Sequence, residues 1–202
     1  MSSVLPPFGS RLSVFLTQGA LVGVVFFSIY PTMNWLTGLR EQHFSLYLDR
    51  ELSLPFVPEL IWVYLSMYLL FAMPPFFLDV FELKRLSKEL IAGTLLAGLV
   101  FMFLPARLGF SRRIPDSPLL GPLYEEIFKL DQPFNLVPSL HVVYSAAIVF
   151  AVVGQAGIRY RLFFGAWLAL ITVSTLLVHQ HHLLDVVAGL ALAVSMRFLW
   201  RE

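Results

Sequence analysis

Cysteine is missing from all 202 residues, which excludes disulfide staples, thiolate nucleophiles and thiolate metal ligands and leaves the redox compartment unmarked. Charge is scarce as well: Asp, Glu, Lys and Arg make up 13% of the chain, against about 25% in soluble domains. A formal net charge of +1 and the lack of a long basic run exclude the electrostatic footprint of a nucleic-acid binder. No internal repeat, low-complexity tract or domain-length linker interrupts the sequence, so residues 1–202 read as a single domain. What remains is apolar: 58% of residues are hydrophobic and the mean hydropathy is +0.77. That is the composition of an integral membrane protein.

A membrane-crossing helix needs about 20 mostly apolar residues. By that measure six spans are expected, over residues 12–30, 58–80, 89–106, 139–156, 160–178 and 183–200, giving an all-α bundle of six transmembrane helices. Arg11 ahead of an apolar stretch has the outline of a signal peptide, but no small-x-small cleavage site precedes Pro31, so a retained helix is expected. Placing the N-terminus inside puts Arg11, Lys84, Arg85, Lys88, Arg159, Arg161, Arg197 and Arg201 on the cytoplasmic side. Arg40, Arg50, Arg107, Arg112, Arg113 and Lys129 then lie opposite, spread over longer loops. The expected topology has both termini inside, in the plasma (inner) membrane, with a functional site on the outer face.

Two outer loops follow from this layout. Residues 31–57 mix Trp35, Phe44, Leu46, Tyr47 and Leu48 with Arg40, His43 and Asp49-Arg50-Glu51, the pattern of an interfacial connector, with a substrate-contacting loop as the alternative. Residues 107–138 contain Pro115, Pro118, Gly121, Pro122 and Pro133 and a short amphipathic helix over 123–130, placed to roof the site or cover helix ends.

Ionisable residues at the ends of membrane helices are costly to keep and are functional candidates. The stretch TLLVHQHHLLDVVAG, residues 175–189, carries His179, His181, His182 and Asp185 between two apolar runs. His181 and Asp185, one turn apart, would share a helix face. A carboxylate bonded to one imidazole nitrogen fixes the tautomer and leaves the other free to attack. Histidine is a competent covalent nucleophile, and a phosphohistidine would divide one displacement into two. Pro138-Ser139-Leu140-His141 opens the preceding run. Ser139 suits an N-cap there, the helix start is a ready anion site, and His141 just inside is placed to act as general acid. Arg107, Arg112 and Arg113 are candidate clamps for phosphate oxygens. The competing reading of these arginines is headgroup snorkelling. For Asp185 it is a plain helix cap, and for His179 and His182 it is packing or headgroup contact.

PSLH, followed by Ser174-Thr175-x5-His181-x3-Asp185, resembles the second and third signatures of the type 2 phosphatidic acid phosphatase superfamily, PSGH and SR-x5-H-x3-D. The match covers about residues 103–190. The resemblance implies that His181 is the nucleophile, Asp185 its orienting carboxylate and His141 the acid, with Ser139 lining the phosphate pocket and no metal or other cofactor required. It also implies a lipid phosphate as substrate and agrees with six spans. Three departures stand out. Leu140 replaces the glycine of PSGH, and Thr175 replaces a phosphate-contacting arginine. The first signature, K-x6-RP, is approximated only by Arg107 with Arg112 or Arg113, at shorter spacing and with Ile114 before Pro115. PSLH with QHH-x2-D is similar to the branch that includes inositol phosphorylceramide synthases, which move phospho-headgroups between lipids.

Two expectations of one kind result: a lipid phosphatase acting on a lipid phosphate or pyrophosphate, or a lipid headgroup phosphotransferase. A different class is a metal-binding or transport protein with zinc on His179, His181, His182 and Asp185. Against it, no charged residues mark an ion path through the middle of the spans, and adjacent histidines face different ways on a helix. A catalytically idle scaffold completes the set.

Overall fold

The structure, a computed structural model, describes residues 5–200. Arg201, assigned above to the cytoplasmic side, lies outside the described residues. Among the described residues the chain is helical with no β-strand, and its one extended pairing is an isolated bridge between Phe44 and Ala106. Three helices are long and apolar enough to cross a membrane: α1 (Phe8–Gly38), α5 (Val80–Phe103) and α8 (Ile158–Leu177). Between and after them come α2 (Ile61–Leu65), α3 (Met67–Phe71), α4 (Pro74–Phe77), α6 (Leu120–Leu130), α7 (Leu140–Gln155) and α9 (Leu183–Leu199).

The expected span over 58–80 is not one helix. A 3-10 turn, Pro58–Leu60, leads into α2, α3 and α4, which are separate short pieces. Adjacent Pro74 and Pro75 lack the N–H groups that a continuous helix needs, so the ladder breaks before them. Ser66, at the first break, turns its Oγ onto Val63 O (2.6 Å) and also accepts from Trp167 Nε1 of α8 (2.8 Å). The next span begins earlier than residue 89, at Val80, where Asp79 accepts a cap bond from Glu82 N at 2.8 Å. Lys84, Arg85 and Lys88 therefore ride on the first turns of α5 rather than in a loop. The amphipathic helix expected over 123–130 also starts sooner, at Leu120.

The middle of the fold is α7, whose buried face includes Val142, Val143, Ala146, Ala147, Ile148, Val149, Ala151 and Val152 and which packs on α5, α8 and α9. In lipid the hydrophobic effect does not separate helix from helix, so close approach through small residues carries the packing. Gly189 is the clearest case: a Cβ there would sit 2.9 Å from Ser139 O and 3.1 Å from Val142 Cβ. Only glycine lets the start of α9 lie this close to the start of α7. α1 packs chiefly along α5 and leaves Leu16, Leu21, Val24 and Phe27 exposed, an apolar face suited to lipid.

Charged residues collect at one end of the bundle. Arg197 of α9 reaches Glu89 (3.0 Å) and Glu82 (2.9 Å), and Arg85 pairs with the same two carboxylates at 3.1 and 3.2 Å. Arg11 donates to Pro75 O (2.8 Å). The opposite end carries the histidines. Removing one partner from a mostly buried ion network costs about 3 kcal/mol. Arg197→Ala is accordingly expected to lower the melting temperature in detergent by several degrees. An unchanged melting curve would show that the network carries no stability.

Candidate active site

The turn that places the histidines is dictated by how α8 ends. Gln180 N donates to Thr175 O (3.0 Å) and His179 N to Leu176 O (3.1 Å), the paired bonds of a Schellman cap, with His179 in the left-handed region at φ 57°. That conformation suits glycine and is uncommon for histidine. Side-chain contacts hold it: the His179 ring stacks on Phe110 with centroids 3.9 Å apart, and its Nε2 lies 3.1 Å from Leu54 O. The chain then reverses, and α9 starts at Leu183.

His181 thus lies in the turn and not on the helix, so the expected shared helical face is not how it meets Asp185. Asp185 occupies the third position of α9 and reaches backward. Its Oδ2 accepts from His182 N (2.7 Å) and from His181 Nδ1 (3.2 Å). One oxygen therefore closes the N-terminus of α9 and orients the imidazole. Since a carboxylate only accepts, His181 carries its proton on Nδ1 and presents Nε2 as a lone pair. Asp185 is neither a plain cap nor a plain orienter; it is both.

His141 comes from the start of α7, with its ring centroid 5.8 Å from that of His181. Ser139 caps this helix by accepting from Val142 N (3.4 Å), and its own N–H donates to Asp185 O (3.0 Å), tying the two helix starts together. Within the first turn of α7, Val142 N is taken by Ser139 Oγ and Val143 N by Ser139 O. Leu140, at the position of the signature glycine, is buried in the core. Thr175 bonds Thr172 O (2.8 Å) within α8 and is buried, so no side chain at that position reaches out as a clamp.

The arginines divide. Arg107 is exposed and its Nε donates to Ser45 Oγ at 2.9 Å. Arg112 donates to Phe128 O (2.9 Å) and to Asp131 O and lies over the Phe128 ring, so its fork is taken up by the end of α6. Arg113 is exposed and close enough to His179 to disfavour its protonation, adding to the larger effect of burial. None of the three touches His141 or His181.

Other residues were invisible to sequence reasoning. Glu51, placed above in an interfacial connector, is buried and its Oε2 meets Leu183 N (2.8 Å) and His182 Nδ1 (3.2 Å). Because His182 Nε2 accepts from Gly109 N (3.0 Å), its Nδ1 is the donor to Glu51. His182, expected to pack sideways or meet headgroups, is a buried neutral tie between both outer loops and α9, stacked between Tyr47 and Phe110. Tyr64 of α2 stacks on His141 with centroids 4.3 Å apart. Asp131 accepts from Tyr30 Oη and lies within electrostatic reach of His181 and Arg112; its carboxyl is held above the usual range by burial. The roof helix α6 packs through Leu120 and Tyr124 onto Ile61, Tyr64 and Val178, covering the broken segment.

This arrangement bears on metal binding. His179 and His182 have ring nitrogens committed to Leu54, Glu51 and Gly109, and among the described residues no group of three or more His, Asp or Glu is set to hold a metal ion. Compared with models of known protein families, with characterised proteins and with solved structures, the chain has no match.

The Glu51–His182 tie makes stability depend on pH. Burial by itself raises the Glu51 carboxyl, but the N–H groups of Leu183 and Leu48 together with His182 outweigh it and hold the group below its ordinary 4.5. Burial also lowers His182 below 6.5. Both folded-state values are depressed, so in each window the unfolded chain binds more protons and stability falls as pH falls. Melting temperatures measured from pH 8 to pH 4 are expected to drop below about 6.5 and more steeply below about 4.5. Glu51→Gln should lower the melting temperature at pH 8 and flatten the second step; identical profiles would refute the tie. Gly189→Ala is expected to cost about 1–3 kcal/mol by forcing α7 and α9 apart, again read from melting, and a neutral outcome would contradict the close packing.

Proposed function

We propose that this chain is an integral membrane lipid phosphatase that removes phosphate from a lipid phosphate or pyrophosphate through a phosphohistidine. The observation that carries the reading is the meeting of three side chains from two helix starts. Asp185 lies 3.2 Å from His181 Nδ1, and the His141 ring is 5.8 Å from the His181 ring, a separation one phosphoryl group spans. The resemblance of PSLH and S-T-x5-H-x3-D to the type 2 phosphatidic acid phosphatase signatures supports it independently.

The chemistry follows from the protons. His181 Nε2 attacks phosphorus and the N–P bond forms as the ester P–O bond breaks; His141 gives the leaving oxygen its proton. Asp185 stabilises the positive charge that develops on His181. In the second step water attacks, the P–N bond breaks and His141 takes the water proton. The N-terminal end of the capped helix α7, with its partial positive charge, lies at His141 and favours the developing oxyanion charge. Of the arginines, Arg113 has a free guanidinium beside the histidine turn, which makes it the best candidate clamp.

In this reading α7, α9 and the broken 58–77 segment complete a six-span bundle together with α1, α5 and α8. The charged end faces the cytoplasm and the histidine end the outer face of the inner membrane, where a lipid headgroup reaches it directly. Headgroup transfer to an alcohol is the second reading, favoured by Thr175 being folded into α8 where a phosphatase of this kind would carry arginine.

The test is turnover of lipid phosphates by purified protein in detergent with chelator present. Inorganic phosphate release is expected from wild type, loss to background in His181→Ala, and a fall of roughly 10²–10⁴-fold in Asp185→Asn. Equal rates in wild type and His181→Ala would remove the proposed nucleophile. Release only when an alcohol is supplied would favour transfer over hydrolysis.

A further inference from the structure

The two imidazoles have different partners on Nδ1. That of His181 faces a carboxylate, which only accepts, whereas that of His141 faces the hydroxyl of Tyr64 at 3.3 Å. Tyr64 is almost wholly buried, at 2% exposure, and its ring lies over the His141 ring with centroids 4.3 Å apart. It comes from α2, the first piece of the segment broken at Ser66 and Pro74, and α6 covers it through Tyr124 and Leu120. The position of Tyr64 is therefore fixed from three sides: by α6 above, by the imidazole it stacks on, and by the short helix that carries it.

We propose that Tyr64 is the positioning residue of the proton-exchanging histidine, setting which nitrogen of His141 gives and takes the proton. The inference rests on the phosphoryl-transfer reading above. With Nδ1–H donating to Tyr64 Oη, imidazolium His141 has one proton to give, on Nε2. After donation to the leaving oxygen it is neutral, still carrying Nδ1–H, and its Nε2 lone pair is ready to take the proton of the attacking water. The same hydrogen bond serves both steps, so the ring needs no flip or tautomer change between them. A neutral hydroxyl fits this duty better than a carboxylate would. A carboxylate at that position would hold His141 as imidazolium and oppose its turn as a base. On His181 the carboxylate is the right partner, because that ring must bear charge once phosphorylated. A hydroxyl for the histidine that cycles and a carboxylate for the one that is phosphorylated is a division of labour set by hydrogen-bond chemistry.

Tyr64→Phe keeps the stacked ring and removes the hydroxyl. The experiment compares full-length wild type, Tyr64→Phe and His141→Ala in detergent on two phosphomonoesters. One is an aryl phosphate, whose nitrophenolate leaves without a proton; the other is an alkyl lipid phosphate, whose alkoxide needs one. General-acid assistance contributes about 10²–10⁴-fold. Losing its positioning should change the aryl-to-alkyl rate ratio by about tenfold or more in favour of the aryl ester, in the same direction as His141→Ala. With rates read as kcat/KM, which reports the step that forms the phosphohistidine, an unchanged ratio would show a structural role only and overturn the proposal. No turnover of either ester by wild type would instead remove the phosphoryl-transfer reading, and this inference with it. If Tyr64→Phe proves unstable, Tyr64→His, which retains a ring and a polar group, should restore part of the wild-type ratio; failure of that rescue in a folded protein also overturns it.

Discussion

A single oxygen organises this molecule. Asp185 Oδ2 accepts the backbone N–H that would otherwise be orphaned at the start of α9, and it accepts Nδ1–H of His181. Helix initiation and imidazole orientation are therefore one event. Bonds shared at one acceptor in a buried place are geometrically coupled, so the His181 ring is as well placed as the helix is well started. The carbonyl of the same residue receives Ser139 N, and the start of α7 with its His141 is located by the same few atoms. Gly189, one turn on, permits the approach that makes this reach possible.

Around that centre the outer loops act as a brace. Phe110 is stacked between His179 and His182, Gly109 and Glu51 hold the two nitrogens of His182, and Glu51 also takes Leu183 N. A left-handed histidine costs energy that a glycine would not, and the aromatic stack with the bond to Leu54 offsets it. The three histidines of the turn thus have separate duties. His179 holds the turn through Leu54, His182 holds it through Glu51 and Gly109, and His181 keeps Nε2 uncommitted.

Much of this was legible from sequence where the signal is local. Apolar run lengths located α1, α7, α8 and α9 to within a few residues at most boundaries, and Ser139, His141, His181 and Asp185 stood out as polar groups at helix ends. Non-local signals were not legible. Glu51 lies far along the chain from His182, and nothing in DRELS distinguishes a buried carboxylate from a solvated one. Tyr64 reads as one aromatic in an apolar span because hydropathy stays high across the breaks at Ser66 and Pro74-Pro75. The ion network around Arg85 is not legible because Glu82 and Glu89 lie a turn away on α5 and Arg197, which pairs with the same carboxylates, is on another helix. Arg107 and Arg112 have the right chemistry for phosphate, but the carbonyls that end α6 hold Arg112, and Arg107 leans through Nε on Ser45, away from His141 and His181.

In the proposed reaction one nitrogen, Nε2 of His181, is the atom that bonds phosphorus. This is tested most directly by rapid acid-free quenching during turnover of a radiolabelled lipid phosphate, followed by mapping of the acid-labile phosphate and assignment of its ring position. The account requires label on His181 at Nε2, absent from His181→Ala. Label at Nδ1, on another residue, or an intact wild-type enzyme turning over without any phosphoprotein would contradict it.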